Sequence, residues 1–256
     1  MKLDLNCDLG EGEPPTRTRA LMRWITSANV ACGGHAGDLN SMEVCVRLAR
    51  RFGVRLGAHP GPWNRADFGR GAVRLASGEL ELLLLQQVGA LGHLARASRV
   101  QLHHIKLHGA LYHASEEDEL VAREYVATVK RFWPQAKIYA RAGGSVVRHG
   151  RRSGLTVWEE AFADRGYRED GTLVPRNEPG ALLTRTAPVI ARVKRLLEAG
   201  EVTAASGARI RFRPQTICLH SDTAHAVDLA RAVSNTLGSR RVDHQRIRSR
   251  PSDLLA

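Results

Sequence analysis

The residues able to do chemistry fall in short clusters along the chain. In order they are Asn6 and Asp8; Asn29, Cys32, Gly33-Gly34-His35 and Asp38; Gly57-Ala58-His59-Pro60-Gly61; Lys106-Leu107-His108-Gly109; Glu159, Glu160, Asp164 and Arg165; and His220-Ser221-Asp222. Aspartate with two or three histidines is the donor set of a divalent-metal site built from nitrogen and oxygen. Lysine and arginine nearby can hold a carboxylate, arginine in bidentate fashion. Carboxylates and imidazoles together supply general acids and bases. The set points to hydrolysis or proton transfer on a small anionic substrate. It contains no G-x-S-x-G elbow, which argues against a serine esterase. Cys7, Cys32, Cys45 and Cys218 form no C-x-x-C pair and read as small, buried, reduced thiols. Asp38 is equally well read as the cap of the helix that follows it. His93 and His149 read as packed side chains. Of the adjacent Glu159 and Glu160, only one can face the same side of a strand as its neighbours' chemistry.

The clusters share a position: each follows a short apolar run. Strands are predicted at Leu3–Asn6, Ala28–Ala31, Arg55–Ala58, Leu102–Leu107, Lys137–Tyr139, Thr156–Phe162 and Thr216–Leu219. Helices are predicted at Thr16–Thr26, Asn40–Phe52, Glu79–Ala97 (capped by Ser77), from a capping box at Ser115–Asp118 to Trp133, at Ala187–Ala199 and at Ala224–Leu237. A β-hairpin is expected around Val202–Phe212. Strand and helix alternate, as a parallel sheet with helical crossovers requires. About seven such units in 256 residues fit a closed TIM-like (β/α) barrel, with an open doubly wound sheet as the alternative. No G-x-G-x-x-G follows the first strand, which weakens that alternative, and no P-loop is present. In a barrel, all the polar clusters meet at the mouth formed by the C-terminal ends of the strands.

Composition bounds the rest. With 43% hydrophobic and 25% charged residues, whole-chain disorder is excluded. No apolar run is long enough to span a membrane, and the N-terminus lacks a signal-peptide pattern, so a cytoplasmic location is expected. The chain reads as one domain, 1–256, with a basic segment at 240–256. Its net charge is +12, and 33 of its 38 basic residues are arginine. The dense group Arg240, Arg241, Arg246, Arg248 and Arg250 lacks interleaved aromatics. A nucleic-acid-binding role is therefore disfavoured against solvated arginine-rich faces.

Seven stretches resemble the LamB/YcsF family. They are Asp4–Glu11, Asn29–Asp38, Gly57–Gly61, Lys106–Tyr112, Glu160–Tyr167, Gly171–Arg176 continuing through Pro179-Gly180-Ala181, and Ile217–His220, in order over nearly the whole chain. Framing residues depart from the family's usual ones. Gly34 stands where an aromatic is usual and Leu39 and Leu107 where proline is. Pro62-Trp63-Asn64-Arg65 replaces Tyr-Pro-Asp, and Ser221 replaces glycine. The resemblance implies a βα-barrel of the glycoside hydrolase/deacetylase kind. It implies the first of the three subunits of an ATP-dependent 5-oxoprolinase, opening 5-oxo-L-proline to L-glutamate with partner subunits B and C. ATP would be handled with those partners, and a homo-oligomer is left open. On this reading Asp8, His35 and His59 form a metal or acid–base cluster. Lys106, His108 and Arg165 hold or polarise the substrate, and Glu160 and Asp164 act as bases or orienting groups. Asn6, Arg176, His220 and Asp222 complete the substrate contacts. The competing reading is a stand-alone metal-dependent amidohydrolase or deacetylase acting on another small amide or lactam.

Overall fold

The structure is a computed structural model that describes residues 3–76, 78–223 and 225–238. The expected Ser77 cap, the start of the closing helix at Ala224 and the basic segment 240–256 lie outside these residues.

Seven parallel strands close into a barrel: β1 (Asp4–Leu9), β2 (Ser27–Ala31), β3 (Arg55–His59), β4 (Leu102–Ile105), β5 (Lys137–Arg141), β6 (Val157–Phe162) and, after an antiparallel pair β7 (Glu201–Thr203) and β8 (Arg209–Arg211), β9 (Thr216–Leu219). β9 pairs with both β6 and β1 and shuts the seam. The expected TIM-like barrel and its hairpin are thus what the chain forms. Around it pack α1 (Pro15–Met22), α2 (Leu39–Phe52), α3 (Glu79–Ala97), α4 (Gly109–Glu117), α5 (Glu119–Phe132), α6 (Ser145–Arg152), α7 (Thr186–Ala199) and α8 (Ala226–Thr236). Among the described residues no helix is long and apolar enough to cross a membrane.

Alternation along each strand sorts the side chains. On β1, Leu5, Cys7 and Leu9 turn outward into the hydrophobic layer under the helices, which also holds Leu80, Leu84 and Leu91 of α3. Asp4, Asn6 and Asp8 turn into the lumen. There Asp4 accepts hydrogen bonds from Ser27 (2.7 Å) and Thr216 (2.7 Å), and Asn29 donates to Asn6 (2.7 Å). The lumen is thus filled by a hydrogen-bonded polar network where barrels of this kind usually pack branched aliphatics.

Some local expectations are corrected. The ladder of β4 ends at Ile105, two residues before the expected Leu107. The extended backbone continues nonetheless: Lys106 N donates to Ala58 O (2.9 Å) and His108 N to Pro60 O (2.8 Å). Ser115–Asp118 is not a capping box, because Ser115 and Glu116 are buried inside α4. The cap of the next helix is Asp118, which accepts from Leu120 N. α4 and α6 were not expected at all. Gly109, at φ 53°, lets the chain turn straight from strand to helix without a linker.

Candidate functional site

The C-terminal ends of the barrel strands open into a cavity of about 600 Å³. At its floor sits Lys106, whose side chain is 2% exposed. Its Nζ lies 3.0 Å from Asp8 Oδ1, 3.1 Å from Glu160 Oε1 and 3.1 Å from Cys218 Sγ. Burial alone would discharge the amine, but the Asp8 and Glu160 carboxylates outweigh it and hold the ammonium well above the usual lysine range. Burial likewise acts to protonate Asp8, and His59 and Lys106 overcome it and keep the carboxylate ionised.

Beside this pair stand three imidazoles. His59 Nδ1 donates to Lys106 O (2.8 Å), and His108 Nε2 donates to Phe68 O (2.9 Å). A carbonyl can only accept, so these contacts assign the protons. The remaining nitrogens, His59 Nε2 and His108 Nδ1, face each other 3.0 Å apart. Glu11 Oε1 is 3.4 Å from His108 Nδ1 and 3.7 Å from His59 Nε2. His35 stacks on His108 at 3.5 Å between centroids, with its Nε2 3.0 Å from Glu11. Its Nδ1 is buried without a partner. Burial, reinforced by His59, pushes His35 down to about 2, and burial followed by His59 and His35 depresses His108. Glu11 is driven up by burial and then by Asp8.

Convergent ring nitrogens, with His59 and His108 each anchored through the other nitrogen, are the arrangement of imidazoles that bind metal. The donor set Glu11, His35, His59 and His108, whose ligand atoms all lie within 4.8 Å of one another, fits a divalent cation. This set shares His35 and His59 with the expected set of Asp8, His35 and His59 and adds Glu11 and His108, while Asp8 Oδ2 lies 3.5 Å from His59 Nε2. The other oxygen of Asp8, Oδ1, pairs with Lys106 and accepts from Asn29 (2.7 Å). Asp8, Cys218 and His220 also cluster, but the Lys106 ammonium already supplies the cation beside Asp8 and Cys218.

The remaining candidates take three kinds of place. His220 lines the cavity and gives its Nδ1–H to buried Asp164 (3.0 Å), with its Nε2 3.9 Å from Asp8. Burial pushes Asp164 up, but His220 more than offsets it and holds the carboxylate below its usual range. Asp222 joins two loops at the rim, bound by Arg70 (3.0 Å) and Arg176 (3.0 Å). Other residues support from behind. Asn6 is fully buried below the floor and donates to Glu160 (2.9 Å) and Thr216 (2.7 Å). It positions Glu160 and does not reach the cavity. Arg165 lines the cavity but spends its Nε–H and one Nη–H on Ala181 O (3.3 Å) and Val174 O (2.7 Å), which staples the loop after β6. Glu160 faces the lumen, while Glu159 faces outward and accepts from Arg151 (2.6 Å). Asp38 caps α2 in a reciprocal pair with Ser41, the structural one of its two readings. All four cysteines are free and buried, their thiols pushed up chiefly by burial.

Several lining residues escaped the sequence reading. Glu11 lies one loop beyond the strand end. Tyr112 and Glu116 follow His108 at four-residue spacing on one face of α4, a pattern visible only once α4 is recognised as a helix. Tyr112 donates to Glu160 (3.1 Å). Arg70 and Arg141 were two among many arginines.

Residues 3–251 match the LamB/YcsF family. In solved structures, the chain is similar to a lactam utilization protein from Thermus thermophilus. The two are 36% identical, with 93% of this chain and 96% of that chain covered and a TM-score of 0.85. It is also similar, at 14% identity, to (S)-3-O-geranylgeranylglyceryl phosphate synthase from Thermoplasma acidophilum, with 92% and 93% covered and a TM-score of 0.45.

Proposed function

The chain belongs to the LamB/YcsF family, and from that premise we propose that it is the lactam-handling subunit of an ATP-dependent 5-oxoprolinase. The observation that carries the reading is its 36% identity, end to end, with a protein of lactam utilization. The reaction opens 5-oxo-L-proline to L-glutamate. A five-membered lactam is an unreactive amide, and ATP hydrolysis supplies the driving force. The nucleotide is assigned to partner subunits B and C and the ring to this chain, in the cytoplasm.

The floor of the cavity supports a division of labour. Lys106 donates to three acceptors, of which the Cys218 thiol is the weakest. The lactam carbonyl oxygen displaces that thiol and meets a buried, fixed positive charge as negative charge develops on it. His220, held by Asp164, takes the proton of the attacking water and returns it to the ring nitrogen as the C–N bond breaks. Asp8 and Glu160 keep Lys106 charged and aimed. A divalent cation held by Glu11, His59 and His108, with His35 behind them, would add Lewis-acid polarisation at the same place.

The test is glutamate release from 5-oxo-L-proline. It should require this chain, subunits B and C and ATP together. Release by the isolated chain without ATP would refute the reading. The convergent donor atoms of Glu11, His35, His59 and His108 favour one second reading, a stand-alone metal-dependent amidohydrolase. It requires about one tightly bound divalent metal per chain and chelator-sensitive amide hydrolysis without partners; metal far below that level, with activity indifferent to chelator, eliminates it.

A further inference from the structure

We propose that the end of the cavity formed by Glu116 and Arg141 is a second subsite, which binds a carboxylate of the substrate and couples its arrival to proton uptake by Glu116. The proposal takes its ligand class from the lactam reading above.

The cavity is much larger than one five-membered ring needs. Among the described residues, five guanidiniums line it: Arg70, Arg141, Arg165, Arg168 and Arg176. Four are already engaged. Arg70 and Arg176 share Asp222, Arg168 gives one Nη to both oxygens of Glu178 (2.9 and 3.1 Å), and Arg165 is given to carbonyls. Arg141, at the end of β5, is different. Its Nε–H is buried with no acceptor, and its nearest ionic partner is Glu116 at a loose 3.8 Å. Glu116 is only 8% exposed, and both of its carboxylate oxygens are buried without a well-formed hydrogen bond. Unsatisfied buried donors and acceptors side by side are costly, and they signal a missing partner.

The position suits an anchor. Glu116 is one turn, about 5.4 Å, beyond Tyr112 on α4, and Tyr112 reaches Glu160 beside Lys106. The reacting end and this end therefore lie on one wall of one cavity. Space for the carboxylate group of Glu116 is made by Gly144, where a Cβ would collide with it.

The groups facing Glu116 set its response. They are Arg141 from β5, the backbone amides of Ser145 and Val146 at the start of α6, the Tyr125 hydroxyl from α5 and, on its own helix, Tyr112 with Glu160 behind it. Burial raises Glu116 to about 7, while Arg141 and the amides pull the other way. A ligand carboxylate that pairs with Arg141 adds negative charge and takes up part of Arg141's pull. Glu116 then binds a proton near neutral pH and can donate it to the ligand as an O–H hydrogen bond.

Calorimetric titration of the full chain at pH 7, in two buffers of different ionisation enthalpy, reads both affinity and proton uptake. The probes are 5-oxo-L-proline, L-pyroglutamyl-glycine, 2-pyrrolidinone and butanoate. At least one carboxylate-bearing lactam should bind about 10-fold or more tighter than 2-pyrrolidinone and take up a fraction of a proton. Which of the two gains more tells whether the carboxylate sits on the ring or one residue further out. Glu116→Gln should keep the tight binding and lose the uptake. Arg141→Met should bring the carboxylates down to the level of 2-pyrrolidinone and leave that ligand unchanged. Uptake that persists in Glu116→Gln, or an Arg141→Met effect equal for all ligands, overturns the subsite. So does a carboxylate that adds nothing, and in that case tight lactam binding leaves the lactam reading standing. Butanoate that binds as tightly as the lactams, with the same uptake, supports the subsite and removes the lactam reading instead.

Discussion

Lys106 holds a full positive charge where water is excluded, and the residues around it exist in the state they do because of that charge. Replacing it by alanine leaves Asp8 and Glu160 facing each other without a counter-ion. Breaking a buried pair in this way costs about 3–5 kcal/mol of stability. Turnover should fall at least about 100-fold, as for loss of an electrostatic group that acts on the developing oxyanion. His59→Ala should cost turnover similarly, through an acid–base or ligand role, with little loss of stability. Steady-state kinetics beside circular dichroism separates the two cases, and near-normal turnover in both variants would move the chemistry elsewhere. Lys106, His59, His108 and His220 were legible in the sequence because each ends an apolar strand beside glycine or a carboxylate. Glu11, Glu116 and Arg141 were not. Their roles depend on which charges fold back against them, and a chain with 33 arginines hides one whose buried Nε–H has no acceptor.

At the scale of elements, the close approach of β3 to β4 is set by one missing side chain. A Cβ on Gly57 would run into the imidazole of His104, which fills the lumen opposite and donates to Asn29 (2.6 Å). Gly57→Ala should therefore cost about 1–3 kcal/mol by overpacking, read as a lower urea midpoint with unchanged slope. An unchanged midpoint would mean that His104 steps aside without penalty. A similar exchange of volumes explains a departure from the family's usual residues. Gln87 of α3 occupies the space beside Gly34, bonded to both the N–H (3.0 Å) and the carbonyl (2.7 Å) of Gly61. The seven barrel strands were readable as short apolar runs closed by polar residues. α4 and α6 were not, because their apolar faces are short and each begins beside a glycine, Gly109 or Gly144. α6 is only eight residues long and buries only Val146 and Val147 as large apolar side chains, among arginines and histidine, which is too short a run to stand out as a helix.

For the molecule as a whole, the buried polar lumen ties stability to pH. His104 is fully buried and held neutral, first by burial and then by His103 and Lys106. The unfolded chain takes up a proton at that residue below about pH 6.5, and the folded one does not. Its contribution is intact above that pH and is lost as pH falls below it, by up to about 1.4 kcal/mol per unit. His35 and His108 act with the same sign, while Glu11 and Glu116, whose carboxyls are raised, act with the opposite one. The difference in urea stability between wild type and His104→Gln isolates the first term, and should narrow steadily between pH 6.5 and 4.5. A difference independent of pH would mean that His104 is protonated in the fold. The same lumen has a calorimetric consequence. Unfolding uncovers amides, carboxylates and imidazoles where other barrels uncover branched aliphatics, and exposed polar surface lowers the heat capacity of the unfolded chain while apolar surface raises it. The stability of this barrel should therefore bend less with temperature than that of an aliphatic-filled barrel of equal length, so that it weakens less on cooling.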